Sequence, residues 1–496
     1  MSSDTKRKTK TVRLPLIILC LLCTISTLAF AVMVAQNRKV ESIADDVVMS
    51  VDSRGNYLAD DKRFDAQLHK SKKMRRSQMY VSQDITNLEM CKSIFGENFE
   101  FDPDVVEDPD LVVAIGDVHG DVDALIQALV LSGLVKWNGR DINTLQWIGG
   151  NAVLVQTGDV LDGRRGRTEV VDTSESRPDH TLFRILDDLS SQAKRFGGHV
   201  LRLLGNHETM NVMGYMHYAS SQEYAEYADL PGGRERAFKP GGSQAIRLGC
   251  TRKLSVRVGK NVFAHGGIHP FHLCHYYSKH WSNPLLVGGE NDVVADSVTF
   301  FQDLNANART FLMGTQCLLL IYHFYFPRSN NFSHLHTGTS PRRVNASSMS
   351  AFWLESRRGV VWMRDFGGDP NSRSWMDSIS ADGNTAGDPR CQWKSRDPCD
   401  ALKKGLSILN SERLIVGHTP QILRSNRNNG WTLNISSDCG EHLWRVDTAM
   451  STAFSGLHRE ADEHVVTALR IEKNGRVEVR RAPYIETGRI MARFAG

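Results

Sequence analysis

The sequence predicts an α/β fold, and three observations predict it. Five short apolar runs with strand character recur between Leu111 and Val416. Stretches with helical spacing follow the earlier runs. A glycine-bearing polar cluster comes within a residue or so of the end of each run, as happens where loops gather at the carboxyl ends of strands in an open α/β sheet.

The chain begins with a basic tail, residues 1–13, carrying Lys6, Arg7, Lys8, Lys10 and Arg13. Residues 14–35 (LPLIILCLLCTISTLAFAVMVA) then run without a charge. About 22 residues at 1.5 Å each match the ~30 Å hydrocarbon core of a bilayer, so this segment reads as a transmembrane anchor. The basic flank places the N-terminus in the cytosol and the remainder across the membrane, in the secretory pathway or at an organelle membrane. Two other readings stay open: a signal peptide cleaved after Ala29-Phe30-Ala31, and a mitochondrial presequence. Residues 36–107 are polar and charge-rich and read as a linker or stalk.

The folded domain is expected over residues 108–485. LVVAI (111–115), AVLVQ (152–156), HVLRLL (199–204), NVFA (261–264) and RLIV (413–416) read as strands. Asp121–Leu134 and His180–Phe196 carry helical spacing, the second ending at Gly197-Gly198, and Asp121 stands where a helix cap belongs. Near the end, VVTALRIEKNGRVEVRRA alternates on both sides of Asn474-Gly475, a hairpin signal that suits a second sheet edge. Residues 316–350 differ from their surroundings and read as a disordered insertion, and 486–496 as a C-terminal tail.

The net charge of +4 is spread along the chain, which gives no footprint for nucleic acid. Nine cysteines occur with no CxxC pair outside the apolar segment, so zinc-finger and thioredoxin readings fail. The scatter is compatible with one or two disulfides and leaves the redox compartment open.

The chemistry lies in the clusters after the strands. They are Gly116-Asp117-Val118-His119-Gly120-Asp121, Gly158-Asp159-Val160-Leu161-Asp162, Gly205-Asn206-His207-Glu208, His265-Gly266-Gly267 and Gly417-His418-Thr419. Five loops at one sheet end are able to bring Asp117, His119, Asp159, Asn206, His265 and His418 together. Carboxylate and amide oxygens with imidazole nitrogens suit two divalent cations of Mn, Fe or Zn, and the absence of thiolates argues against a structural zinc site. Two such metals clamp a phosphoryl group for in-line attack. Asp159 is expected to bridge them.

These clusters, in this order, resemble the calcineurin-like metallophosphoesterases and the phosphoprotein phosphatase family. PGGSQA (240–245), VVWMRDF (360–366), DALKKGLSILNSERLIVGHT (400–419) and WRVDTAMS (444–451) are similar to the Shewanella-like branch. The resemblance implies a β-sandwich flanked by helices and hydrolysis of phosphoserine, phosphothreonine or phosphotyrosine in a phosphoprotein partner. It implies that Asp117 and His119 hold one metal and that Asn206, His265 and His418 complete the shell of the second. His207 resembles the general acid that protonates the leaving oxygen, and Asp162 the carboxylate that orients it. Arg364 is the candidate for gripping phosphate oxygens.

Two departures stand out. Asp162-Gly163-Arg164 replaces the family's Asp-Arg-Gly, so Arg164, or Arg165 beside it, is the candidate second phosphate ligand from a displaced position. Leu204 replaces the arginine that precedes Gly-Asn-His-Glu in classical members, and Arg202 is not expected to stand in for it. Two rival readings keep the fold: a hydrolase of nucleotides or other small phosphoesters, and a catalytically silent binding protein.

Overall fold

The apolar runs form strands buried on both faces, which is why they read as continuous hydrophobic stretches rather than alternating ones. The computed structural model describes residues 85–164, 177–270, 272, 273, 276, 297–315, 353, 354, 359–368, 397–424 and 431–485. Helix α1 (85–95) is followed by β1 (Val105–Val106) and β2 (Leu111–Ile115). Helix α2 (Val122–Leu131) starts at the expected cap, where the Asp121 carboxylate accepts the Ala124 N–H. A small hairpin of β3 (Val135–Lys136) and β4 (Gln146–Trp147) leads to β5 (Val153–Gln156), α3 (Pro178–Lys194) and β6 (His199–Arg202).

Four helices come next: α4 (Asn206–Val212), α5 (Ser221–Ala225), α6 (Gly233–Phe238) and α7 (Ser243–Thr251). The antiparallel pair β7 (Ser255–Val258) and β8 (Asn261–Ala264) follows, then α8 (Ser297–Leu312), α9 (Pro398–Ile408) and β9 (Arg413–Val416). A second small hairpin pairs β10 (Ile422–Arg424) with β11 (Trp431–Leu433). The chain closes with β12 (Ser436–Asp438), β13 (Leu443–Arg445), α10 (Ser455–Glu460), β14 (Val465–Glu472) and β15 (Val477–Pro483), the last two forming the expected hairpin.

Two mixed sheets result, ordered β15-β14-β2-β5-β6 and β1-β7-β8-β9-β13-β12. Their inner faces share one core in which Val112, Ala114, Val155 and Leu201 of the first sheet meet Val256, Phe263, Ile415 and Trp444 of the second. Helices α2 and α3 cover the outer face of the first sheet through Leu125, Leu129, Leu182 and Leu186. Leu248, Phe301, Leu304, Phe311 and Leu402 cover the second. This is the helix-flanked β-sandwich that the resemblance implied.

The linker expectation needs one correction. Residues 85–107, read from composition as stalk, are fixed to the body. Cys91 forms a disulfide with Cys250 of α7. Asp102 pairs with Arg202 at 2.6 Å and Lys194 at 2.8 Å, Asp104 with Lys253 at 2.7 Å, and Glu107 with Arg257 at 2.5 Å. β1 pairs in parallel with β7, and the Arg309 guanidinium lies 3.7 Å from the Phe101 ring centroid. Charges that look like a solvated stalk in the sequence are here the partners of buried cations. A second disulfide, Cys399–Cys439, ties the start of α9 to the turn after β12.

No helix among the described residues is long and apolar enough to cross a membrane. The segment 14–35 and the insertion 316–350 lie outside the described residues, as do the C-terminal residues 486–496.

Candidate active site

Loops at the carboxyl ends of β2, β5, β6, β8 and β9 meet at one end of the sandwich and draw on both sheets. Asp117 and His119 follow β2, and Asp159 and Asp162 follow β5. Asn206 and His207 open α4 just beyond β6, His265 follows β8, and His418 follows β9. All eight side chains are buried.

Asp159 is the hub. Its Oδ2 lies 3.2 Å from His265 Nε2, 3.7 Å from His119 Nε2 and 3.9 Å from His207 Nε2. Its Oδ1 accepts the His207 backbone N–H at 2.9 Å. Asp117 joins the same group: its Oδ2 accepts the His418 N–H at 3.0 Å, and its Oδ1 is 4.0 Å from His265 Nδ1. Two groups of potential ligand atoms, His119/Asp159/His207 and Asp159/His265/His418, each lie within 4.8 Å and share Asp159.

The hydrogen bonds behind these side chains fit a cation. His119 Nδ1 faces the Leu161 carbonyl at 3.2 Å, His265 Nδ1 the Thr157 carbonyl at 2.9 Å, and His418 Nε2 the Trp362 carbonyl at 3.1 Å. A carbonyl accepts only, so each of those nitrogens carries the proton and the opposite nitrogen turns a lone pair inward, the pattern seen behind metal-ligating histidines. His265 Nε2 then meets Asn206 Oδ1 at 3.0 Å and Asp159 Oδ2 at 3.2 Å. Three lone pairs converge there unless His265 takes a second proton, and a cation relieves that conflict. The donor set therefore fits divalent metal.

The electrostatics agree. Burial pushes the Asp159 carboxyl up, but His265, His207 and His119 outweigh it and hold the group well below the usual carboxylate range. Burial also opposes charge on His265, and the adjacent Asp159 raises that imidazole nonetheless. His418 is held well below its ordinary value by burial, with His265 and Arg364 adding to the effect, and is a neutral imidazole near pH 7.

The backbone is forced into this arrangement. His119, Asp159, Asp162 and His418 have left-handed φ angles of 45°, 52°, 70° and 68°. Each such residue costs about 1–3 kcal/mol and persists only where its surroundings over-determine it. Glu208 supplies that constraint at Asp159. Its buried Oε1 accepts the N–H groups of Val160 (2.8 Å) and Leu161 (3.2 Å), and its Oε2 those of Asp159 (2.9 Å) and Gly205 (2.7 Å). Two glycines admit the carboxylates: a Cβ at Gly205 would stand 2.0 Å from Asp159 Oδ1, and one at Gly417 would stand 2.4 Å from Asp117 Oδ1.

His207 Nδ1 lies 2.7 Å from Asp162 Oδ2, the dyad that the resemblance implied. Arg364 is exposed beside His418, its Nη1 donating to Thr419 Oγ1 at 3.1 Å and to the His418 carbonyl at 3.4 Å. Arg164 is half-buried, and its backbone N–H donates to the Tyr218 carbonyl at 3.0 Å. Gly163 is wedged against Gly120, where an added Cβ would come within 2.8 Å of the Gly163 Cα. Arg202 is committed to Asp102 and Asp187 and does not replace the arginine absent at Leu204.

Sequence reasoning missed the residues behind the dyad. Asn211 was legible in principle, four residues after His207 and so on the same helix face. Glu223 and Arg234 carried no signal, because a charged residue in a polar stretch reads as surface.

Comparison with known proteins bears on the same loops. Residues 111–358 match the family described as calcineurin-like phosphoesterase. An uncharacterised protein of Schizosaccharomyces pombe is 36% identical over 353 residues, covering 70% of this chain and 75% of that protein. Shewanella-like protein phosphatase 1 of Plasmodium berghei is 31% identical over 368 residues, covering 73% and 74%. Among solved structures, a cold-active protein-tyrosine phosphatase of a Shewanella species aligns over 77% of this chain and 83% of its own, at 18% identity and a TM-score of 0.45. The chain belongs to the calcineurin-like metallophosphoesterase family, metal-dependent phosphatases with Shewanella-like protein phosphatases among its relatives.

Proposed function

We propose that this chain is a dinuclear-metal phosphomonoesterase that acts on phosphoserine, phosphothreonine or phosphotyrosine in proteins. One observation carries the reading: three imidazoles, each with its outer nitrogen on a backbone carbonyl, converge with Asp117 and Asn206 around Asp159. In this reading Asp117, His119 and Asp159 hold one ion, and Asp159, Asn206, His265 and His418 the other. The ions, of Mn, Fe or Zn, would clamp the phosphoryl oxygens and lower the pKa of the attacking water.

The remaining work falls to side chains. His207 gives a proton from Nε2 to the leaving oxygen as the ester P–O bond breaks and the bond from water to phosphorus forms. Asp162 keeps the other proton on Nδ1 and so fixes which nitrogen donates. His207 regains a proton from solvent, and the products are an alcohol and inorganic phosphate. Arg364 would grip the phosphoryl oxygens beside His418, and Arg164 would approach from the dyad side. Relatives named protein phosphatases support a phosphoprotein substrate.

The test is metal content by mass spectrometry together with turnover of phosphopeptides after Mn²⁺ loading, with Asp159→Asn as the control. About two ions per chain and peptide turnover lost in Asp159→Asn are expected. Turnover of dinucleoside polyphosphates but of no phosphopeptide would move the substrate to nucleotides, and no turnover of either would leave a silent binding protein.

We also propose that residues 14–35 anchor the chain, with the catalytic domain on the luminal side of a secretory or organelle membrane. The two disulfides among the described residues support an oxidising compartment. A mobility shift on deglycosylation, from the sequons at Asn331, Asn345 and Asn434, is the expected result.

A further inference from the structure

Behind His207 and Asp162 lies a second layer of buried polar side chains that the chemistry above does not use. Asn211 is fully buried, one turn after His207 on α4. Its Nδ2 donates to Asp162 Oδ1 and to the His207 carbonyl, both at 2.9 Å. Its Oδ1 accepts from Arg234 Nε at 3.0 Å. A flipped amide would set Nδ2 against a donor and Oδ1 against two acceptors, so only one orientation satisfies all three bonds.

Arg234 is fixed in turn. Its Nη1 donates to Asp179 Oδ2 and to the Glu223 carbonyl, and its Nη2 lies 4.0 Å from Asp162 Oδ1. The guanidinium packs 4.5 Å from the Phe238 ring centroid and 5.4 Å from that of Tyr227. Glu223 holds the backbone under the dyad: its Oε1 accepts the Asp162 N–H at 2.9 Å and the Gly163 N–H at 3.1 Å.

We propose that Asn211 and Arg234 are positioning residues for proton transfer, locking the Asp162 carboxylate so that His207 keeps its Nδ1–H toward Asp162 and its Nε2 toward the leaving group. The proposal rests on His207 being the general acid. A carboxylate held only through Oδ2 is able to rotate about its Cβ–Cγ bond, and the imidazole turns with it. Holding Oδ1 removes that freedom. The amide that holds Oδ1 also holds the His207 carbonyl, so both members of the dyad refer to one rigid group.

A buried network that served stability alone would affect all substrates equally when cut. A network that positions the acid has a different signature, because a good leaving group departs without protonation and a poor one does not. The experiment is steady-state kinetics of the full-length, Mn²⁺-loaded chain on aryl phosphates from p-nitrophenyl to phenyl and on a phosphoserine peptide. Asn211→Ala, Arg234→Lys and His207→Asn are compared with the unaltered chain, with metal content measured for each.

For Asn211→Ala, kcat on phenyl phosphate and on the peptide should fall on the order of 10- to 100-fold, and on p-nitrophenyl phosphate less than about threefold. KM should stay within about twofold, and Arg234→Lys should show the same bias at smaller size. An equal loss on every substrate at unchanged metal content, or no loss, overturns the proposal. Should Asn211→Ala not fold, Arg234→Lys and Asn211→Ser are judged on the same criterion. If none of the three folds, the network is structural and the proposal falls. A uniform loss in His207→Asn would instead remove the general-acid reading beneath it.

Discussion

Replacing Glu208 with glutamine should loosen the loop that carries Asp159 while leaving every proposed metal-ligand side chain unaltered. Glu208 is fully buried, and each of its oxygens accepts two backbone N–H groups, from Val160 and Leu161 on one side and from Asp159 and Gly205 on the other. Glutamine has one acceptor oxygen, so in either orientation its NH2 faces two N–H donors. At about 1–3 kcal/mol for each buried donor left without a partner, the loss is roughly 2–6 kcal/mol. A domain of ordinary stability has about 5–15 kcal/mol in all, so the substitution removes a large fraction of it. The assay is urea denaturation followed by fluorescence, paired with metal content of the folded fraction. A lower midpoint with reduced metal content is expected. A midpoint and metal content equal to those of the unaltered chain would refute the argument that Glu208 maintains the left-handed turn at Asp159.

Other perturbations separate the parts of the molecule. Removing residues 1–84 should leave the domain soluble and folded, whereas removing 1–107 strips Asp102 and Asp104 from the buried cations of Arg202 and Lys253. Arg202 would keep only the Asp187 carboxylate, while Lys253 would lose its carboxylate partner at a cost of about 3–5 kcal/mol, so the shorter chain should aggregate on expression, as solubility and thermal melts would show. Chelation with EDTA should lower the melting temperature and abolish phosphatase turnover, with Mn²⁺ restoring both.

His464 predicts an acid-side loss of stability. Burial, with His458 stacked on it at 3.6 Å between ring centroids, lowers its pKa to about 4. The unfolded chain therefore takes up the proton first as pH falls from about 6.5, and this stability is present above that pH and lost toward pH 4. The loss amounts to at most about 3 kcal/mol. The stability difference between the natural chain and His464→Phe should shrink over that range, and a constant difference would refute it.

The sequence by itself determined the strands and the identities of the side chains at their ends. Leu111–Ile115, Asn261–Ala264 and Arg413–Val416 appear as strands at the positions expected, because strands buried on both faces are apolar over most of their length. The glycine-bearing clusters were legible for a related reason: Gly205 and Gly417 lie where a Cβ would strike a carboxylate, so residue type there is dictated by geometry. Only the tertiary structure decided what the charged residues outside those clusters do. Asp102, Asp104 and Glu107 look like stalk, and Arg202 and Arg234 like surface, until their partners, in most cases some 50 to 150 residues away in the chain, come into place. A charge carries no record in the sequence of whether it meets water or a counter-charge. Burial and pairing belong to the fold, and here they are what hold the candidate dyad in position.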